Sequence, residues 1–377
     1  MKKIWIGIGV VVVVALAIVL VVTQTKKEPR EIKIGAILIL TGPDAKAGQS
    51  ARQGIEMAAE EINNDGGIKG KKVKVVYEDD QGEPQKAVSA ILKLINIEKV
   101  PAIIGPMWSS SVLAVAPIAE KNHVVILSPA ASAPKITYAG DFIFRNTYSD
   151  LFEGAKDAEY AYKELGYRKA GIIHVNVDAG IEIANVFSET FQKLGGTVVL
   201  RESYEPKTTD FRSLLTKYKD KDIDFIYLMG YSEMGQLVKQ AREIGLKIPF
   251  VSTIMFEISD VIKVAGNAAE GTIYSFPAYD SEEKSDVVSS FTEKFKQRYG
   301  TLPDPEAAFS YDATKILCLA ISKGGTGPTK IKDELYRIKN YQGVTGETSF
   351  DENGDVIKPI GFKKVENGKY VWQKFQY

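Results

Sequence analysis

Residues 34–77 read IGAILILTGPDAKAGQSARQGIEMAAEEINNDGGIKGKKVKVVY. The stretch opens on an apolar run at 34–40. In 51–64 the apolar residues Ile55, Ala58, Ala59 and Ile62 fall at helical spacing, and Gly66-Gly67 stop the helix. A second apolar run follows at 73–77. Strands that are apolar throughout, separated by an amphipathic helix, indicate a parallel sheet buried on both faces.

The same alternation continues outward. Residues 84–97 begin on Pro84 and carry Val88, Ile91, Leu92 and Ile95 on one face. Residues 102–104 read as a strand, 110–121 as a helix and 124–127 as a strand. The pattern then restarts, with strands at 170–174, 197–200, 225–229, 249–252 and 272–276. Helices are expected between them at 180–194, 211–218 and 234–244. Two βαβ arrays in succession give an α/β fold of two doubly wound, Rossmann-like lobes. The last third differs: helices at 287–299, 306–322 and 330–338 lead into short strands around Asn353-Gly354 and Glu366-Asn367-Gly368-Lys369, which are hairpin signals. This tail is expected to return to the two lobes rather than form a third domain.

The length suits that division, since 377 residues exceed one ordinary core. Lysine plus arginine equals aspartate plus glutamate, 48 each, so the total charge gives no support for a nucleic-acid partner. The single cysteine, Cys318, lies in an apolar helix-like run and reads as an inert buried thiol. With only His123 and His174 besides, no Cys/His metal site is expected.

Residues 4–22 carry no charge and are flanked by Lys2-Lys3 and Lys26-Lys27. That length suits a membrane-spanning helix better than the shorter apolar core of a cleaved signal. The one A-x-A sequence, Ala15-Leu16-Ala17, lies inside the apolar run, and no cysteine follows for a lipid anchor. Residues 1–30 are thus expected to be one hydrophobic helix, anchor or signal, plus a linker. Either reading places the lobes on the extracellular face, held at the membrane by residues 4–22 or secreted.

Catalytic signatures are missing: no G-x-S-x-G, no G-x-x-x-x-G-K-[ST], and no G-x-G-x-x-G at the first strand-to-helix turn. Asp79-Asp80 reads as a solvated strand end. The chain is expected to be no enzyme and to need no cofactor. What stands at the strand-to-helix turns is small and polar: Leu40-Thr41-Gly42-Pro43, Trp108-Ser109-Ser110-Ser111, and Ser128-Pro129-Ala130-Ala131-Ser132. Doubly wound sheets bind ligands at such turns. Hydroxyls and free backbone N–H groups at a helix start suit a carboxylate. The competing role for Ser109 or Ser110 is simple helix capping.

These turns, with Gly54-Ile55-Glu56-Met57-Ala58, Tyr77-Glu78-Asp79-Asp80, Phe144-Arg145, Gly230-Tyr231-Ser232-Glu233 and Phe350-Asp351-Glu352-Asn353-Gly354-Asp355, carry a resemblance. The chain resembles the leucine/isoleucine/valine-binding proteins, type I periplasmic solute receptors of ABC transporters, over about residues 32–375. The resemblance implies lobes joined by three crossovers: 31–146 with 278–350, and 147–277 with 351–377. It implies that Ser109, with Ser110 and Trp108 beside it, Ala130 and Ser132 hold an amino acid, and that Tyr231 closes over it. The chain departs from the family at three places. Ala47 and Ala179 stand where aromatics are common, and the ammonium-binding glutamate falls near Ile254, with Glu257 the nearest substitute. The expected function is capture of a small polar ligand, a branched-chain or similar amino acid, and delivery to ABC permease subunits. A receptor for urea or a short amide is the alternative, as is a membrane-anchored sensing ectodomain whose output would come from a partner chain.

Overall fold

A computed structural model describes residues 31–258 and 261–373. Its first sheet has five parallel strands: β1 (Glu31–Leu38), β2 (Lys72–Asp79), β3 (Ala102–Ile104), β4 (Val125–Ser128) and β5 (Ile143–Arg145), in the order β2-β1-β3-β4-β5. Strand periodicity sorts its side chains between two cores. Ile34, Ala36, Leu38, Ile104 and Leu127 pack with Ala51, Ile55, Ile316 and Leu317 of the helices Ala45–Asn64 and Pro305–Gly324. Ile37, Ile103, Ile126 and Ile143 pack on the opposite face with Ile91, Val112 and Val115. Burial on both faces is what the unbroken apolar runs require.

The second sheet repeats this winding. It holds β6 (Lys169–Val175), β7 (Thr197–Tyr204), β8 (Phe225–Met229), β9 (Phe250–Ser252) and β10 (Ile273–Pro277) in parallel. Its core centres on Phe187, stacked on Tyr227 at 3.8 Å between ring centres. A small antiparallel sheet of β11 (Tyr341–Gly343), β12 (Gly346–Phe350) and β13 (Val356–Ile357) sits beside the first lobe. Strands β14 (Ile360–Glu366) and β15 (Lys369–Trp372) extend the second sheet antiparallel to β10, giving the order β15-β14-β10-β9-β8-β6-β7.

The polypeptide passes between the lobes after β5, after β10 and before β14. The third passage comes later in the chain than the boundary at 350/351 expected from the sequence. Strand β13 pairs with β12, and Val356 is buried in the first core, so the passage runs through Lys358-Pro359. Asn146 fastens the first passage by donating from Nδ2 to the Phe309 carbonyl oxygen at 2.8 Å. Among the described residues no helix is long and apolar enough to cross a membrane. The expected anchor or signal at residues 4–22 lies outside the described residues.

Candidate functional site: the cleft between the lobes

In each sheet the winding reverses beside its first strand. The two switch points lie between β1 and β3 and between β6 and β8. Doubly wound sheets bind ligands in the crevice beyond the carboxyl ends of the strands at such points. The turns that leave these strands carry Thr41, Trp108, Ser109 and Tyr231.

The turn after β3 is shaped by Gly105. Its φ is +90°, and a Cβ there would lie 2.1 Å from the Ile37 carbonyl oxygen, so only glycine fits. Ser128, at the end of β4, donates from Oγ to the Pro106 carbonyl oxygen at 2.6 Å and accepts from the Ala131 N–H at 3.2 Å. The two serine-bearing turns are thereby one unit. Ser109 opens the helix Ser109–Asn122, and no side chain caps that helix. Its Oγ accepts the N–H of Ala133 at 3.2 Å. A hydroxyl that only accepts keeps its proton to give, so Ser109 braces the second turn and retains a donor. Ser109, Ala130 and Ser132 are half-buried, and Ser110 is exposed. Half-buried Trp108 lies over the turn after β2, where a Cβ on Gly82 would meet its ring at 3.0 Å.

Arg145, at the end of β5, is fully buried. Its guanidinium holds Asp355 at 2.6 and 2.8 Å, and donates to the carbonyl oxygens of Ser132 at 3.0 Å and Ala133 at 2.9 Å. A planar fork binding in two directions fixes the 130–133 turn. Two segments that carried the family resemblance, around Arg145 and Asp355, therefore meet behind the site.

Sequence reasoning missed Asp150. It begins the helix Asp150–Lys163, and its N–H donates to the Ser132 carbonyl oxygen at 3.0 Å. Burial raises its pKa, opposed by the neighbouring Ser132 side chain and by the charge of Arg145. A signal existed in Ser149-Asp150, a helix-start pair directly after the last strand of the lobe. Ser149 Oγ indeed accepts the Leu151 N–H at 3.3 Å. Tyr231 follows β8 from the second lobe and is 38% exposed. Burial raises its pKa, with the charge of Asp150 next in effect, so the two groups share one electrostatic neighbourhood.

The structure does not bring Glu257 to this site. Its carboxylate pairs with Lys363 of β14 at 2.9 Å and accepts the Tyr274 hydroxyl of β10 at 2.5 Å, which ties it to the framework of the second lobe. The amide of Ile254 is taken by buried Glu153 at 2.8 Å. Among the described residues no group of three or more His, Cys, Asp or Glu could hold a metal ion. Across the cleft mouth Lys135 meets Asp178 of the second lobe at 3.0 Å.

Comparison with known proteins agrees with this fold. Residues 31–369 match the family described as periplasmic binding protein. The leucine-, isoleucine-, valine-, threonine- and alanine-binding protein of Pseudomonas aeruginosa is 30% identical over 347 residues, covering 91% of this chain and 90% of that protein. The Leu/Ile/Val-binding protein of Escherichia coli K12 is 30% identical over 348 residues, 91% of each chain. The structure of the branched-chain amino acid transporter substrate-binding protein LivJ of Streptococcus pneumoniae, in complex with isoleucine, is 31% identical with a TM-score of 0.74, covering 91% of this chain and 99% of that one. The chain belongs to the periplasmic binding protein family.

Proposed function

We propose that this chain is the extracellular solute-binding component of an ABC importer, and that it captures an amino acid between its lobes for delivery to the permease. The carrying observation is the pairing of donors and a carboxylate on one turn unit. The Ser109 hydroxyl keeps a free proton beside the start of a helix, while Asp150 is held against the same turn by its N–H bond to the Ser132 carbonyl oxygen. An α-carboxylate is met by the Ser109 and Ser132 hydroxyls and by backbone N–H groups of the helix start. The α-ammonium donates to the Asp150 carboxylate and the Ala130 carbonyl oxygen. Its positive charge offsets the desolvation that raises the Asp150 pKa.

Tyr231 approaches from the second lobe and covers the bound molecule as the lobes turn about the three passages. Closure removes water from a zwitterion, so every charged group must find a partner. This cradle supplies one for each end. The names of the relatives, which bind leucine, isoleucine, valine, threonine or alanine, support an amino acid as the ligand class. The reading of urea or a short amide arose from the displaced glutamate near Ile254, and Asp150 supplies the acidic group that position was expected to give.

A thermal-shift panel of amino acids, urea and acetamide on the purified protein tests the proposal. A ligand at 100 times its Kd stabilises by about 2.7 kcal/mol. A shift with an amino acid and none with urea or acetamide is expected, and the reverse pattern refutes the reading.

A further inference from the structure

The strands of the first sheet differ at their two ends. Their carboxyl ends lead into the serine turns, and their amino ends form the opposite edge. In the register of β1 with β2, Glu31 lies opposite Lys72 and Lys33 opposite Lys74. Residues 65–71 lead into β2, and residues 99–101 lead into β3, the other neighbour of β1. Lys33, Lys69, Lys72, Lys74 and Lys99 are therefore gathered where three adjacent strands begin.

Strand alternation sorts part of this set onto one face. Ile37 of β1 packs in the core that holds Ile91 and Leu94, and Val76 of β2 packs against it. Side chains at every second position share a face, so Lys33, Lys72 and Lys74 project to that side of the sheet. Lys33 donates to Glu98 at 2.9 Å, and Lys74 pairs with Glu31 at 3.7 Å. The Lys33 hydrogen bond holds the Glu98 carboxyl below its usual range, and the charges of Lys93 and Lys74 act in the same direction.

Those pairs occupy both glutamates. Lys69, Lys72 and Lys99 are exposed and form no ion pair among the described residues. Asp65, the residue after the helix Ala45–Asn64, is a further acid at this edge and offsets one of them. Lys69 and Lys99 have φ angles of 51° and 58°, in the left-handed region that glycine enters without steric cost. These lysines thus stand where the backbone favours glycine. Ile97, just before Glu98 and Lys99, is 68% exposed. Exposed aliphatic carbon beside unpaired lysines matches a surface that is anionic outside and apolar beneath.

The sequence before β1 bounds how far such a surface can be. Residues 23–30, TQTKKEPR, separate the uncharged residues 4–22 from Glu31 and carry three basic residues against one acid. A segment of that length reaches at most about 28 Å. With residues 4–22 in a bilayer, as their length suits, the amino edge stays within that distance of the lipid headgroups. We infer that the amino edge of the first sheet docks on an anionic lipid surface through Lys69, Lys72 and Lys99, with Ile97 entering the headgroup layer. The inference rests on residues 4–22 being retained and is independent of which solute the cleft takes. The serine turns leave the opposite ends of the same strands, so docking holds the cleft on the far side of the first lobe from the bilayer, open to solute.

Lysine acylation footprinting of the full-length protein tests this, with the chain inserted in vesicles of phosphatidylcholine alone or of phosphatidylcholine and phosphatidylglycerol in equal parts. Mass spectrometry reads the reaction rate at each lysine. In the anionic vesicles at low salt Lys69, Lys72 and Lys99 should react about fivefold or more slower than in the neutral ones, the scale of one basic residue at such a surface. Exposed Lys219 and Lys247 of the second lobe should keep their rates. Salt near about 1 M, where charges are screened within about 3 Å, should remove the difference. Lys69→Glu with Lys72→Glu should return Lys99 to its neutral-vesicle rate and leave solute affinity unchanged, since both positions lie away from the cleft. Equal rates in the two vesicles at all three lysines overturn the inference. Equal slowing at Lys219 and Lys247 also overturns it, because the lipid contact would then not belong to this edge. A chain that lacks residues 4–22, or that separates from both vesicles, overturns the anchoring and the inference with it, and leaves the solute-binding reading standing.

Discussion

Replacing Ser109 by alanine separates a binding serine from a structural one. In the structure Oγ of Ser109 accepts one N–H, from Ala133 at 3.2 Å, and no side chain caps its helix. The substitution therefore removes one internal hydrogen bond at a half-buried position, worth about 0.5–1.5 kcal/mol. Ser109 is only half-buried, so water can replace part of that. The substitution also removes the hydroxyl proton that Ser109, accepting only, has left to give. If that proton goes to a ligand carboxylate, binding loses about 1.5–3 kcal/mol, or about 10- to 150-fold in Kd. Calorimetric affinity and the melting temperature of the unliganded protein should be measured on the same sample. A large loss of affinity with a small change in melting is expected. Full affinity with a lowered melting temperature would refute the reasoning and return Ser109 to the framework.

Ser132→Ala should act in the same direction, because Ser132 is half-buried on the turn that Ser109 braces, and calorimetry with the same ligand checks it. Tyr231→Ala should raise the dissociation rate in stopped-flow release more than it lowers the association rate, since Tyr231 reaches the ligand from the closing lobe. Burial pushes the Glu153 carboxyl from an ordinary 4.5 up to about 8, against its hydrogen bonds from Ile254 and Ser275. A raised carboxyl stabilises fully below its unfolded pKa, and that contribution is lost as pH rises through about 8. Urea midpoints should accordingly fall from about pH 5 to about pH 9, and Glu153→Gln should flatten part of that fall. If residues 4–22 anchor the protein, intact mass of native material should include them, and a mature chain starting between Thr23 and Arg30 would identify a cleaved signal instead.

Strands that are buried whole were the most legible parts of the chain. Ala102–Ile104 and Phe225–Met229 stand where their uninterrupted apolar runs put them. The helix Asp150–Lys163 was hidden for a physical reason. Its buried face is Glu153, Gly154, Asp157, Ala158 and Ala161, so two acids stand where an apolar stripe is sought. Tyr227 donates to Asp157 at 2.8 Å and Ser275 to Glu153 at 2.6 Å, partners supplied from strands far along the chain. The same gap concealed Asp150. Small polar turns at strand ends were readable as a candidate site, but the bracing of one turn by another was not. That bracing depends on Ser109 meeting Ala133 and Arg145 meeting Asp355, contacts that only the folded sheet creates. Glu257 shows the opposite failure: proximity in sequence suggested a ligand, and Lys363 from the last hairpin claims it.

The central claim is recognition of a zwitterion by Ser109, Ser132 and Asp150. The direct measurement is calorimetry of one bound L-amino acid against its α-amide, which keeps the ammonium and side chain but loses the carboxylate charge. The account predicts micromolar or tighter heat for the acid and a loss of at least about tenfold for the amide. Equal affinity for the two would contradict it.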